Sequence, residues 1–248
     1  MNYRIAIPSY NRPKVIRKRT LNYLLDICGI KPAIIDVFVA DNEQYNEYKY
    51  LEELGINIVI GVRWLHKQRN YIQNYYNEGD FIMQFDDDID ALKIKRGKKT
   101  EVLKNLEQVI VIGFNECLKN RTKLFGVSAV DNFFFMNGKI STNLKFCVGA
   151  CFGIIIDHDN FLSLTLEEKE DYERTIKYYI KFGKVVRLNM VATQTTYYTG
   201  AGGMVDNRTE EEQNKAALYL CEKYPEFIKI NPHRKSKYLE LRLRDSRK

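Results

Sequence analysis

Five cysteines in 248 residues (Cys28, Cys117, Cys147, Cys151 and Cys221) are odd in number and lack metal-knuckle spacing, which argues against a disulfide framework or a zinc knuckle. They read as buried free thiols in a reducing compartment. No uncharged apolar run approaches the roughly 20 residues of a membrane span, so no membrane partner is expected. The opening NYRIAIPSYN reads as a strand and a turn rather than a leader. Internal repeats and low-complexity linkers are missing too, which favours one continuous domain over two lobes.

Positive charge is in excess, and it is unevenly placed. The net charge is +7, and the stretch from Lys229 to Lys248 holds eight basic residues against two acidic ones. Two smaller clusters, RPKVIRKR (Arg12 to Arg19) and KIKRGKK (Lys93 to Lys99), lie in the first hundred residues. Basic runs are commonly solvated faces, but three on one chain make a polyanionic partner worth carrying forward.

The hydrophobic pattern alternates between two periods. RIAIP, AIIDVFVAD, NIVIG and FIMQF read as strands; VIRKRTLNYLLDI, YNEYKYLEELG (closed by Gly55) and LHKQRNYIQNYYNEG (closed by Gly79) read as helices. That order predicts right-handed βαβ units, and hence an α/β fold with a mostly parallel central sheet flanked by helices. Further on, LKNLEQVIVIGFNECLKN, EEKEDYERTIKYYIKFG and EEEQNKAALYLCEKYP read as helices. FGVSAVD, KFCVGACFGIIID and VVRLNMVAT read as strands, and TYYTGAGGMVDNR as a Gly-rich loop.

The apolar strand FIMQF runs straight into Asp86, Asp87 and Asp88. Three adjacent carboxylates repel one another and are costly to bury unpaired. In open α/β sheets ligands gather at the carboxyl ends of the strands, where this cluster falls. Hard cations such as Mg²⁺ or Mn²⁺ take oxygen ligands, often one or two carboxylates plus substrate phosphates. A solvated acidic turn is the plain alternative, but it leaves the apolar strand before it unexplained.

The set IPSYNR, Ala40-Asp41-Asn42, HKQRN and FDDD resembles the nucleotide-binding half of a GT-A (Rossmann-like) glycosyltransferase, with FDDD as its Asp-x-Asp motif. VGACFGI and EKEDYERTIKYYIKFGKVVRLN resemble the acceptor side of inverting family 2 enzymes. The wider combination PSYNR, KQRN, FDDDI, VGAC, ED-x-ER and TYY-x-GAGG is similar to the glycosyltransferases associated with base-modification enzymes in phages and kinetoplastids. These set a sugar on a hydroxymethylated pyrimidine in DNA, such as hydroxymethylcytosine.

That resemblance implies a division of the single GT-A domain into a nucleotide-sugar-binding half (1–90), an acceptor-side half (91–228) and a basic tail (229–248). It implies a UDP-sugar donor, bound by Pro8, Tyr10, Arg12 (stacking near the nucleobase), Asp41 (base or ribose), Arg69 (diphosphate), Asp86 and Asp87. It implies Mn²⁺ or Mg²⁺ held by Asp88 and Asp86, with His233 as a third ligand, and Asp171 as the base that deprotonates the acceptor hydroxyl. DNA is the implied acceptor, and the cytoplasm the implied compartment (the host cell's, for a phage-encoded protein). Tyr197-Tyr198 and Phe133 to Phe135 are candidates to hold an extruded base, with core packing the plainer role. Alternatives are a family 2-like enzyme acting on a polysaccharide, glycolipid or small acceptor, a metal-dependent nuclease or nucleotidyltransferase, and a DNA-binding protein without catalysis.

Overall fold

A computed structural model describes residues 1–195, 209–232 and 237–247. The first half alternates as expected: β1 (Arg4–Pro8), α1 (Pro13–Ile16) continuing as a π-type helix Arg17–Ile27, β2 (Ile35–Val39), α2 (Asn42–Tyr48), β3 (Asn57–Ile60), α3 (Leu65–Tyr75) and β4 (Phe81–Phe85). Next come β5 (Ile89–Arg96), β6 (Lys99–Val102), α4 (Leu106–Asn120), β7 (Leu124–Ser128), β8 (Ile140–Ser141) and β9 (Cys151–Ile155). The chain closes with α5 (Glu170–Phe182), β10 (Val186–Thr195), α6 (Glu210–Lys223), β11 (Ile228–Ile230) and β12 (Leu241–Leu243).

One sheet runs through both halves in the order β3-β2-β1-β4-β9-β7-β10-β5-β6, with β8 also on β10. Strands β1 to β4, β6, β7 and β10 share one direction, and β5, β8 and β9 run against them. This is the mostly parallel, helix-covered α/β sheet expected. Its central strands are buried on both faces, which explains why FIMQF reads as a continuous apolar run. Asp36, buried on β2, draws β1, β3 and α3 together: it accepts from Arg4 (2.6 Å), Asn57 (2.8 Å) and Tyr76 (2.6 Å).

Several boundaries differ from the sequence reading. The third helix ends at Tyr75 rather than Gly79, because Asn77 to Asp80 fold as a turn, with Asp80 N–H on the Asn77 carbonyl at 3.1 Å. KIKRGKK is a regular element: Gly97, at φ 61°, turns it into the β5–β6 hairpin at the edge of the sheet, with Arg96, Lys98 and Lys99 exposed. At the start of the tail, β11 pairs with β12 as an antiparallel ribbon. All five cysteines are free. Among the described residues, no helix is long and apolar enough to cross a membrane.

Candidate active site

The carboxyl ends of β1 and β4 open on a cavity of about 1290 Å³. Pro8, Tyr10 and Arg12 line it after β1, Asp86 to Asp88 after β4, and Gly149 and Glu170-Asp171 from the second half.

The aspartate turn is pinned by its backbone. Thr20 donates its hydroxyl to the Asp86 carbonyl (2.8 Å) and accepts from Ile89 N–H (2.9 Å), while Asp86 N–H reaches the Ala150 carbonyl (2.9 Å). With the main chain fixed, the three side chains diverge. Asp87 turns inward, accepting from Ser9 Oγ (2.5 Å) and from Arg12 Nη1 (3.2 Å). The single Ser9 proton goes to Asp87, so Tyr48 donates to Ser9 at 2.7 Å while accepting from Arg12 N–H at 2.8 Å. Burial pushes the Asp87 carboxyl up to about 6, against the pull of Arg12 and the Ser9 bond and with the repulsion of Asp88.

Asp88 keeps 28% of its side chain open to the cavity and meets the same Arg12 nitrogen at 3.2 Å. Arg12 is thus placed against the aspartates. Asp86 is pushed up to about 7, chiefly by burial, with Arg69 opposing and Asp88 and Asp87 adding, although a third of its surface faces the cavity. Arg69, only 3% exposed, directs its two terminal nitrogens to Asp86 (2.5 Å), Gln84 (2.8 Å) and the Gly149 carbonyl (3.1 Å). It is placed to orient Asp86. Asp41 caps α2 by accepting from Gln44 N–H at 2.9 Å.

The second half brings Asp171 to the same cavity at the start of α5. Its Oδ2 accepts from Gly149 N–H (3.2 Å) and its Oδ1 from Tyr172 N–H (2.9 Å). Burial and the adjacent Glu170 charge hold Asp171 above the ordinary carboxylate range, against Arg174. Arg174 itself is taken by Glu170 at 2.6 Å and lies 3.6 Å from the Phe152 ring centroid. Gly149 therefore joins the two halves: its N–H holds Asp171, and its carbonyl holds the arginine that orients Asp86. A Cβ here would come 2.9 Å from Glu170 Oε1 and 3.4 Å from Asp171 Cβ, so glycine permits the approach.

Other contacts of the site had a faint sequence signal or none. Glu167, from the loop before α5, accepts from Leu65 N–H (2.9 Å) and His66 N–H (3.2 Å), capping α3 across a hundred residues of sequence. Arg63 lies between Tyr10 (5.3 Å) and Trp64 (5.1 Å) at the cavity wall. Trp64 adopts φ 77° before α3, and the lone tryptophan in GVRW was the one available hint. Ser9 and Thr20 carried no hint, because hydroxyls in turns and helices are common. His233, Tyr197-Tyr198 and the GAGG loop lie outside the described residues.

Asp86 and Asp88 present carboxylate oxygens to the cavity, the donor type a hard divalent cation takes. Among the described residues, no group of three or more His, Cys, Asp or Glu is arranged to hold a metal unaided.

No protein-family model matches the chain, and no curated protein does. Solved structures do. Residues 1–349 of Staphylococcus aureus TarS, in complex with UDP-GlcNAc, align with a TM-score of 0.57 at 16% identity, over 89% of this chain and 67% of that one. Mycobacterium tuberculosis glucosyl-3-phosphoglycerate synthase, in complex with phosphoglyceric acid, aligns at 0.52 and 11% identity, over 88% and 78%. The fold is that of the GT-A glycosyltransferases. This chain spans 40% of the longer S. aureus TarS structure.

Proposed function

We propose that this protein is a metal-dependent, inverting glycosyltransferase that moves a sugar from a UDP-linked donor to the hydroxymethyl group of a modified pyrimidine in DNA. The observation that carries the transferase reading is the Gly149 main chain, which holds a candidate base, Asp171, directly and a candidate donor-side acid, Asp86, through Arg69, on one cavity. The similar folds of a UDP-GlcNAc complex and a glucosyl synthase support it.

Each residue then has a defined task. Asp171, raised in proton affinity and fixed by two backbone N–H groups, accepts the acceptor hydroxyl's proton as that oxygen attacks the sugar carbon. Inversion follows from attack opposite the departing diphosphate. Asp88 and Asp86 would hold a divalent cation, which as a Lewis acid supplies charge stabilisation to the leaving diphosphate. Arg69 keeps Asp86 aimed at the cavity. Arg12, beside Asp87 and Asp88, adds fixed positive charge close to where the diphosphate charge grows. Tyr10, with Arg63 and Trp64, offers stacking surface for the nucleobase.

The acceptor rests on the motif resemblance and the basic excess. Transfer to a neutral saccharide or other small acceptor is the second reading, and one observation favours it. Glu167, Glu168, Glu212 and Glu240 join Glu170 and Asp171 on the second-half side of the cavity, against Lys169 and Lys215, while Arg12, Arg19 and Arg63 line the first-half side. Such a wall suits a polyol better than phosphate, so on the DNA reading the phosphates must lie outside the cavity. UDP release, measured for a panel of nucleotide sugars with modified DNA, unmodified DNA or free sugars as acceptor, tests both readings. Release stimulated by modified DNA alone supports the first; release stimulated by free sugars alone overturns it. Shortening of the DNA would instead indicate a nuclease.

A further inference from the structure

Phe134 and Phe135 are 78% and 72% exposed, more than any other large apolar side chain among the described residues. A slack loop would fold two adjacent phenyl rings inward, out of water. This turn is not slack. The Asn132 side chain accepts from Phe134 N–H (3.0 Å), and its carbonyl accepts from Phe135 N–H (3.0 Å) and Met136 N–H (3.1 Å). Lys95 reaches across from β5, donating to the carbonyls of Phe133 and Met136, with its ammonium 5.6 Å from the Phe133 ring centroid. Phe133 lies against Phe134 with centroids 4.0 Å apart. The backbone is fixed from both sides while the outer rings are presented to solvent.

Two neighbours indicate what those rings meet. The turn leaves β7 through Ala129 and Val130, which line the cavity, so it stands at the rim of the site. Lys95 belongs to the β5–β6 hairpin, whose Lys93 to Lys99 stretch holds five basic residues, with Arg96, Lys98 and Lys99 exposed and Lys99 paired with Glu101 of β6 at 2.9 Å. A neutral glycan has no need of those cations, and two rings on a narrow turn offer a bilayer little insertion area. Rings beside cations match a strand of phosphates carrying unstacked bases, because every base has a π-face and every linkage a charge.

We propose that Phe134 and Phe135 form a stacking platform for unpaired bases of a nucleic-acid acceptor, with the β5–β6 hairpin holding its phosphates. The inference rests on the reading of the acceptor as DNA and adds its form: single-stranded or locally opened, with bases near the target held on the platform. It also places the phosphates outside the acidic cavity wall.

Anisotropy titrations at fixed salt test it, with a single-stranded oligonucleotide, an abasic strand of equal length, and vesicles of phosphatidylserine and phosphatidylcholine. The proteins are wild type, Phe134→Ser/Phe135→Ser and Lys98→Gln/Lys99→Gln; all four side chains are exposed, so the thermal midpoint should hold. The phenylalanine variant should bind the base-bearing strand about tenfold to a hundredfold more weakly while binding the abasic strand as wild type does. The lysine variant should weaken both. Equal losses on the two strands, no loss on either, or vesicle binding that the phenylalanine variant alone abolishes would each overturn the platform. If the expected pattern holds and neither single-stranded nor duplex DNA carrying a hydroxymethylpyrimidine receives sugar, the platform stands and the DNA-acceptor reading fails. If modified DNA receives sugar and the phenylalanine variant binds it normally, the platform alone fails.

Discussion

One nitrogen of Arg12 lies 3.2 Å from Asp88 Oδ2 and 3.2 Å from Asp87 Oδ1. The guanidinium supplies positive charge that the aspartate run requires, from within the chain, and it occupies an oxygen that a divalent cation would use. Arg12 and the cation therefore oppose one another at Asp88. Replacing Arg12 by Gln should raise Mn²⁺ affinity without nucleotide by about tenfold, a change of about 1.4 kcal/mol. Titration followed by the Mn²⁺ paramagnetic resonance signal measures this. An unchanged affinity would mean that the guanidinium does not screen Asp88.

Asp88→Asn should leave the fold intact, because the side chain is partly open to the cavity, and should abolish transfer. Losing stabilisation of the leaving diphosphate is worth on the order of a thousandfold in rate. Excess chelator should mimic the variant in wild type. Full activity in chelator would remove the metal from the account.

For Asp171→Asn, turnover should fall steeply while nucleotide-sugar affinity stays near wild type, since the role concerns only the acceptor's proton. Wild-type turnover should rise with pH along a limb set above the ordinary carboxylate range, as the raised proton affinity of Asp171 requires. The same shift makes a stability prediction. A carboxyl that binds its proton more tightly when folded contributes stability below its unfolded pKa and loses it as pH rises through the folded one. The asparagine variant should therefore gain thermal midpoint over wild type at pH 8, a gain that shrinks toward pH 5. Melting curves at the two pH values decide it.

Much of the fold was legible where it obeys two simple periods. β1, β4 and the aspartate turn fall where the apolar runs and their polar stops put them, and Gly55 and Gly183 end their helices at φ 84° and 70°. The β5–β6 hairpin was hidden because its residues are largely basic and its edge strand packs on one side only, so charge masked the alternation. The site's internal wiring was hidden for a different reason. Arg69 is a motif residue, but no local pattern tells whether a guanidinium faces a phosphate or a neighbouring carboxylate; the answer came from Gly149, eighty residues away.

That glycine gives a geometric test. Gly149→Ala drives a methyl group to 2.9 Å from Glu170 Oε1, on a carboxylate that Arg174 holds in place through Oε2. Asp171 should shift, and turnover should drop by tenfold to a hundredfold with donor affinity little changed, the cost of a misplaced base. Single-turnover rates set against donor titrations separate the two. Equal losses in both would place Gly149 in donor binding instead.

The most direct measurement is the intact mass of DNA after incubation with UDP-sugars and Mn²⁺. An oligonucleotide carrying one hydroxymethylpyrimidine should gain the mass of one sugar residue with wild type, and none with Asp171→Asn or in chelator. Its unmodified twin, lacking the acceptor hydroxyl, should gain nothing. Mass gain on free saccharide or lipid, with DNA neither modified nor competing, would contradict the account.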